Sequence, residues 1–351
     1  MICKIQKDYD PRWDPFVLGQ ADGTFFHLWR WKEVVQNSFN YEPFYLAAEE
    51  DGAIQGVLPL FLVNSYLFGR SMVAMPLAVY GGILAKNETA VAVLLQNATE
   101  LAQHHKARYL EIRGNPYSDL QSRHLTTDGW IAAKQKNLYV TFLGSIDPDD
   151  EANLARIPRK QRRMVRQGEK YGLRFIADNL RLREFYDVYA ASVRNLGTPV
   201  YSVSYFEQLV KTFSEDCRVF LVEHQGKIVA GVLTFFFKDQ VMPYYGGALR
   251  ENLQLAPNDF MYWELMRYGA ANGYKIFDFG RSKEGTGPYN FKRHWGFEAR
   301  PLPYWYFPLG GHSIPDTSPL NPKFQWAIRM WRGLPLKVTM MLGPHIVRHI
   351  P

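Results

Sequence analysis

The stretch Val219–Phe237, VFLVEHQGKIVAGVLTFFF, reads as two apolar strands joined at Gln225-Gly226. A glycine-containing dipeptide between apolar runs of this length is the chemistry of a two-residue hairpin. The same design occurs earlier, in Tyr45–Val63, YLAAEEDGAIQGVLPLFLV, with Asp51-Gly52 at the turn. Downstream the order matches again. VYGGILA from Val79 parallels YYGGALR from Tyr244, and helical apolar spacing follows at Val91–Ala107 and Phe260–Asn272. RYLEIRG, ending at Gly114, then parallels KIFDFGRS, ending at Ser282. The pairs Gly52/Gly226, Gly56/Gly231, Tyr80-Gly81-Gly82/Tyr245-Gly246-Gly247 and Glu111/Asp278 keep offsets of 165 to 175 residues. A period this long is too great for a solenoid and predicts a duplicated domain.

Each copy is expected to run helices, hairpin, a third strand bearing Tyr-Gly-Gly, a helix and a fourth strand. That is an α/β fold with mixed sheets in two tandem domains, 1–146 and 147–310, followed by a tail, 311–351. The 351 residues, 47% hydrophobic, suffice for two cores. The net charge of +7 favours an anionic partner such as phosphate, nucleic acid or a membrane surface. Two cysteines, Cys3 and Cys217, argue against a disulfide framework or a cysteine metal site, and the histidines show no ligand spacing. No apolar h-region opens the chain and no apolar run approaches a membrane span, so a cytoplasmic protein is expected.

Past the join at Asp147–Asp150 lies RIPRKQRRMVRQGEK, Arg156–Lys170, with seven Lys/Arg against one Glu. Arg159, Arg163, Arg166 and Lys170 fall on one helical face, and the preceding acids are expected to complement that helix's N-terminus. A solvated basic face and a phosphate-binding face both fit. In the tail, Phe324, Ala327, Ile328 and Trp331 form an apolar stripe that either packs on the body or lies on an anionic membrane surface.

The copies differ most at FDFGRSKEGTGPYNFKRHWGFE, Phe277–Glu298. Here a buried strand leaves the sheet into cations, hydroxyls and glycines, as at ligand crevices beyond strand ends. The order hairpin, Tyr-Gly-Gly strand, helix and strand resembles that of GNAT-type N-acyltransferases, and the acyl transfer to an amine which this resemblance implies needs an oxyanion partner, a proton acceptor and a leaving-group donor. Lys292 and Arg281 suit the oxyanion or a phosphate. Asp278 or Glu284 suits the amine proton, and Tyr289, Tyr244 or Tyr245 suits the leaving group. The structural alternatives are that Asp278 caps its own loop and that Tyr244 and Tyr245 are core. Ser282 and Thr286 supply hydroxyls for substrate binding.

The duplication, the basic helix and the Gly280-Arg281-Ser282, Thr286-Gly287, Phe291-Lys292 and Trp295-Gly296 pieces resemble the FemAB family. Leu196–Tyr201 and Pro257–Asp259 carry further matching pieces. The resemblance covers roughly residues 1–310 and is nearest to the branch associated with exosortase/PEP-CTERM systems, described as BioF-like. It implies two GNAT-like domains and an acyltransferase that moves an amino acid from aminoacyl-tRNA to an amine of a peptidoglycan or exopolysaccharide-related precursor. Relatives of the wider fold use acyl-CoA, so the donor stays open between aminoacyl-tRNA and acyl-CoA, with no further cofactor or metal implied. In the matching Phe-Lys pair, Phe291 is a substrate-binding candidate, and the family's lysine is implicated in binding and in stabilising the reaction. Tyr201 and Tyr245, with Arg159, Arg163 and Arg166, complete the substrate-binding candidates.

One argument bears on the donor. CoA-dependent GNAT enzymes present a glycine-rich turn whose N–H groups hold pyrophosphate at a helix start. Leu255–Phe260 instead offers Pro257, which lacks an N–H, and Asn258 or Asp259, which can cap the helix and, for Asp259, repel phosphate. Lys86–Thr89, in the first copy, is also no cradle. The readings in competition are an aminoacyl or acyl transferase, an acyl-CoA N-acyltransferase of the same fold, and a non-catalytic RNA- or membrane-binding protein.

Overall fold

The computed structural model describes residues 1–350 apart from 118–119, 122–124, 126–133 and 315–321. Packing divides the chain into two compact units. One comprises Met1–Tyr139, Pro301–Thr317 and Arg348–Pro351, the other Val140–Arg300 and Ser318–Val347.

In the first unit, β1 (Ile2–Gln6), β2 (Glu42–Glu50), β3 (Ala53–Ser65), β4 (Gly69–Ala74) and β6 (Tyr109–Arg113) lie in that order, with the two-residue β5 (Leu84–Ala85) on β3. Helices α1 (Trp13–Gly19), α2 (Arg30–Phe39) and α3 (Glu88–His104) complete it. Asp51 and Gly52 both take left-handed φ values, 50° and 78°, so the predicted two-residue hairpin forms. Asn87 caps α3 by accepting from Ala90 N at 2.9 Å. The core collects Leu46, Leu58, Leu60, Leu94, Leu110 and their neighbours.

The second unit repeats the plan. After β7 (Lys134–Ser145, of which this unit holds Val140 onward), α4 (Asp150–Arg156), α5 (Arg159–Lys170), β8 (Arg174–Ala177), α6 (Leu182–Leu196) and α7 (Val203–Phe213) come the hairpin strands β9 (Cys217–His224) and β10 (Lys227–Phe237). Gln225 and Gly226 reproduce the turn with φ of 51° and 78°. β11 (Gln240–Ala248), α8 (Pro257–Ala271), β12 (Ile276–Lys283) and the short α9 (Gly287–Arg293) follow. Strand order is β7-β12-β11-β10-β9-β8. The mixed α/β fold expected from the duplication is therefore present.

The compact units cross the two sequence blocks at two strands. Val140–Ser145 belongs to the second unit, where Thr141 and Phe142 are fully buried. Conversely, Pro301–Pro308 of β13 (Glu298–Pro308) belongs to the first unit and pairs antiparallel with β6, Tyr304 opposite Arg113.

Three local expectations are corrected. In the first unit Tyr80-Gly81-Gly82 is not in a strand: the third strand is β4, and an irregular stretch follows it. The Arg113 guanidinium holds that stretch, donating to Met75 O and Ala78 O while pairing with buried Glu111. The basic segment 156–170 is broken before α5, because Pro158 sits at the N-cap and Arg156 ends α4. The acids Asp149, Asp150 and Glu151 thus complement α4, and the first turn of α5 has none.

In the tail, α10 (Pro322–Gly333) and α11 (Leu336–Val347) both pack on α6. Ile328 and Trp331 face inward, but Ala327 of the expected stripe is exposed. Asn321 and Pro351, the ends of that tail segment, and most of the loop expected after Pro116 lie outside the described residues.

Candidate functional site

β11 and β12 run parallel but pair only at Gln240–Ile276 and Val241–Phe277. The cause lies in β11. Pro243 has no N–H to donate, and Tyr244 is the extra residue of a bulge opposite Leu233/Thr234 on β10. Past Val241 the strands part, and the main-chain groups of Asp278–Lys283 are not used in pairing with β11.

Lys292 binds main-chain carbonyls of this stretch. Its ammonium, half-buried on α9, donates to Phe279 O at 2.5 Å and to Gly280 O and Arg281 O at 3.1 Å. Helix α9 is aimed at the strand by a cap at Thr286, whose hydroxyl donates to Lys283 O at 2.7 Å and accepts from Tyr289 N. Burial pushes the Lys292 pKa down to about 7; Asp278 opposes that shift and Arg281 adds to it. Asp278 is 1% exposed. Its Oδ1 accepts from Thr141 Oγ1 at 3.0 Å and from Gly280 N at 2.7 Å. Gly280 stands at φ 68°, a left-handed geometry that lets its N–H turn back to the carboxylate.

The other predicted residues divide. Arg281 is half-buried on the same edge, and Ser282 beside it is buried with a hydroxyl that finds no hydrogen-bond partner among the described residues. Tyr289 stacks edge-on to Phe142 at 5.4 Å, with the Arg293 guanidinium 5.9 Å from its ring. Thr286 is occupied as the helix cap. Phe291, half-buried, packs on Tyr262 and Trp295 against the edge of the core. The strand exit thus gathers Asp278, Arg281, Ser282, Tyr289 and Lys292.

Tyr201 and Tyr245 belong to a separate aromatic cluster with Tyr189, Tyr205 and Phe206. The Tyr245 and Tyr205 hydroxyls bond each other at 2.8 Å. Burial pushes both phenols well above their ordinary range, which suits a neutral hydrogen-bonding wall better than a proton donor.

On α5, Gln161, Val165 and Gly168 are buried, while Arg159, Lys160, Arg163, Arg166 and Lys170 are exposed. The buried face lies on α8, where Gly168 meets Phe260 so closely that any side chain there would collide. Arg159, Lys160, Arg162, Arg163 and Arg166 line an open concavity. At the start of α8 the N-cap is Ala256 at φ 56°, followed by Pro257, so neither Asn258 nor Asp259 caps the helix as expected. Asp259 instead accepts from the Gln161 side chain, and burial lifts its pKa to about 6. A carboxylate in the first turn of α8 disfavours pyrophosphate at that place.

Sequence reading missed Thr141 and Gln161. Neither carries a motif, and each gains its role by folding next to an acid far away in the chain.

Residues 153–293 match the family model described as an acetyltransferase (GNAT) domain. The chain is 22% identical, over 81% of its length and 87% of the relative's, to lipid II:glycine glycyltransferase of Staphylococcus aureus (strain MRSA252). Among solved structures it resembles FemX, with a TM-score of 0.70 and 18% identity over 93% of this chain and 100% of that one. It also resembles a tandem GNAT protein from the clavulanic acid biosynthesis pathway, with a TM-score of 0.50 and 13% identity over 78% of this chain and 85% of that one. The chain is FemAB-like, its fold is that of the GNAT acyltransferases, and its activity is of the acyltransferase class.

Proposed function

We propose that this FemAB-like protein transfers an amino acid from aminoacyl-tRNA to an amine of a peptidoglycan precursor. The observation that carries the reading is the similarity, along most of both chains, to lipid II:glycine glycyltransferase. In the reaction the acceptor amine attacks the donor's ester carbonyl. An amide C–N bond forms, the ester C–O bond breaks, and the amine's proton ends on the departing ribose oxygen.

Two features favour tRNA over acyl-CoA. The exposed arginines of α5 suit a polyphosphate backbone, each neutralised phosphate releasing counterions. The start of α8, with Pro257 and Asp259, is poorly made for pyrophosphate.

In this reading the reacting centre is the exit of β12. Lys292 holds the exit loop through three carbonyls and supplies the positive field for the developing oxyanion. Asp278 fixes Gly280 and balances the lysine. Arg281 contacts substrate, the buried Ser282 hydroxyl lies behind it, and Tyr289 stands at the rim. Tyr201 and Tyr245 form a wall for the acceptor. The protein works at the cytoplasmic side of the envelope.

The test is transfer of labelled amino acid from a charged tRNA pool to lipid II by the purified protein. No labelled product, together with saturable thermal stabilisation by CoA, would establish the acyl-CoA reading instead. Envelope mass spectrometry with and without the protein separates a peptidoglycan acceptor from an exopolysaccharide-related one by the precursor that loses the added mass.

A further inference from the structure

From Thr317 to Pro351 the chain carries Lys323, Arg329, Arg332, Lys337 and Arg348 and not one Asp or Glu. No carboxylate side chain within the segment can neutralise these five charges. The same segment forms α10 and α11, and their inner faces are well defined. Trp331 is buried, Ile328 lies on Gly197, and Gly343 sits under the main chain of Val200 so tightly that a side chain would collide. Arg194 donates to Leu334 O and Arg332 to Leu196 O, tying the bend between the helices to α6. The helices are therefore docked, and their orientation is fixed.

That orientation turns large apolar residues outward. Trp326 is 69% exposed, Met330 52% and Met341 64%. At about 100° per residue, Trp326, Arg329 and Met330 lie opposite Ile328 and Trp331 on α10. On α11, Lys337, Met341 and His345 lie opposite Thr339 and Gly343, which are buried. Each helix thus presents an outer face in which bulky apolar side chains alternate with cations that no acid of the segment balances. Tryptophan and methionine cost exposure to water, and nothing in the docking of the helices requires them there. Among the described residues no helix is long and apolar enough to cross a membrane.

We propose that the outer faces of α10 and α11 form a docking surface for an anionic lipid bilayer. Trp326, Met330 and Met341 enter the headgroup region, and Arg329 and Lys337 meet lipid phosphates. Charge complementarity chooses this occupant. A protein partner would be expected to meet some acidic residues, whereas an anionic membrane rewards apolar bulk and cations together. The inference is independent of the acyl-transfer reading and places the protein peripherally at the membrane.

The full-length protein is sedimented with phosphatidylcholine vesicles, with and without an equal share of phosphatidylglycerol. Binding is expected only to the anionic vesicles and should fall with added salt. R329E/K337E should weaken it about tenfold or more. W326S/M330S should weaken it at every salt concentration, and both variants should keep the wild-type melting temperature because the replaced groups are exposed. Equal binding to neutral vesicles, or none to either, overturns the proposal. So does a result in which W326S/M330S abolishes self-association, or R329E/K337E lowers tRNA affinity, while vesicle binding is unchanged.

Discussion

Thr141 donates its hydroxyl to Asp278 Oδ1 at 3.0 Å, across 137 residues of chain, in a place where both side chains are buried. The bond joins β7, the last strand of the first sequence block, to β12 of the second, within one compact unit. It holds the Asp278 carboxylate in the orientation that receives Gly280 N, and so shapes the loop that Lys292 brackets.

T141V keeps the volume and removes the donor. It should cost about 1–2 kcal/mol of stability, measured by chemical denaturation, because the buried carboxylate loses a partner. D278N keeps the oxygen that accepts from Thr141 and Gly280 and removes the charge. If Asp278 acts through charge, D278N lowers transfer about tenfold or more with little change in stability. If it acts only as a loop anchor, D278N retains the wild-type rate and only D278A fails.

Lys292→Ala should reduce transfer about a hundredfold or more and strand three carbonyls. Lys292→Met separates the effects by pH. With a folded pKa of about 7 against an ordinary value of 10.5, the unfolded chain binds more protons than the fold in that window. Stability therefore rises as pH climbs from about 7 towards 10.5, and K292M flattens that slope. Unfolding titrations across this range, paired with a pH–rate profile that loses an inflection near 7, are the check.

Asp259 has the opposite sign. Its folded pKa of about 6 exceeds the ordinary 3.8, so the fold binds more protons between those values. Stability falls as pH rises through that window and stays lower above it. D259N keeps an acceptor for Gln161, removes the dependence, and should raise stability at pH 7 by on the order of 1–2 kcal/mol. A melting-temperature series from pH 4 to 8 on both proteins reads this out.

R163A/R166A, at exposed positions, should leave stability within about 0.5 kcal/mol. It should weaken tRNA binding uniformly across tRNA species and reduce the salt slope by about one for each phosphate that is no longer neutralised. Filter binding at several salt concentrations tests it. An unchanged slope removes α5 from the nucleic-acid surface.

The hairpins are legible in the sequence because Asp51-Gly52 and Gln225-Gly226 are local: two consecutive left-handed residues specify that turn in any surroundings. The α5 face is legible for the same reason, its period of charge being set by helix geometry. The Tyr-Gly-Gly segment of the first copy is misleading, since Tyr80-Gly81-Gly82 looks identical to Tyr245-Gly246-Gly247 until Arg113 and Glu111 are seen to hold the segment irregular. Phe291 and Thr286 are named as substrate contacts by their place in the motif, whereas their packing on Tyr262 and Trp295 and the cap bond to Lys283 O are visible only in the fold.

By itself the sequence determined the duplication, the mixed α/β class, the FemAB likeness and the concentration of chemistry at Phe277–Glu298. These follow from local periodicity, turn stereochemistry and charge density, all properties of neighbours in the chain. Only the tertiary structure decided that Lys292 brackets three carbonyls, that Thr141 and Gln161 serve Asp278 and Asp259, and that Trp326 and Met330 face outward. Each of these depends on burial and on contacts between distant segments. Whether a carbonyl pairs with a neighbouring strand, or an indole faces core or solvent, is set by packing that the one-dimensional pattern does not encode.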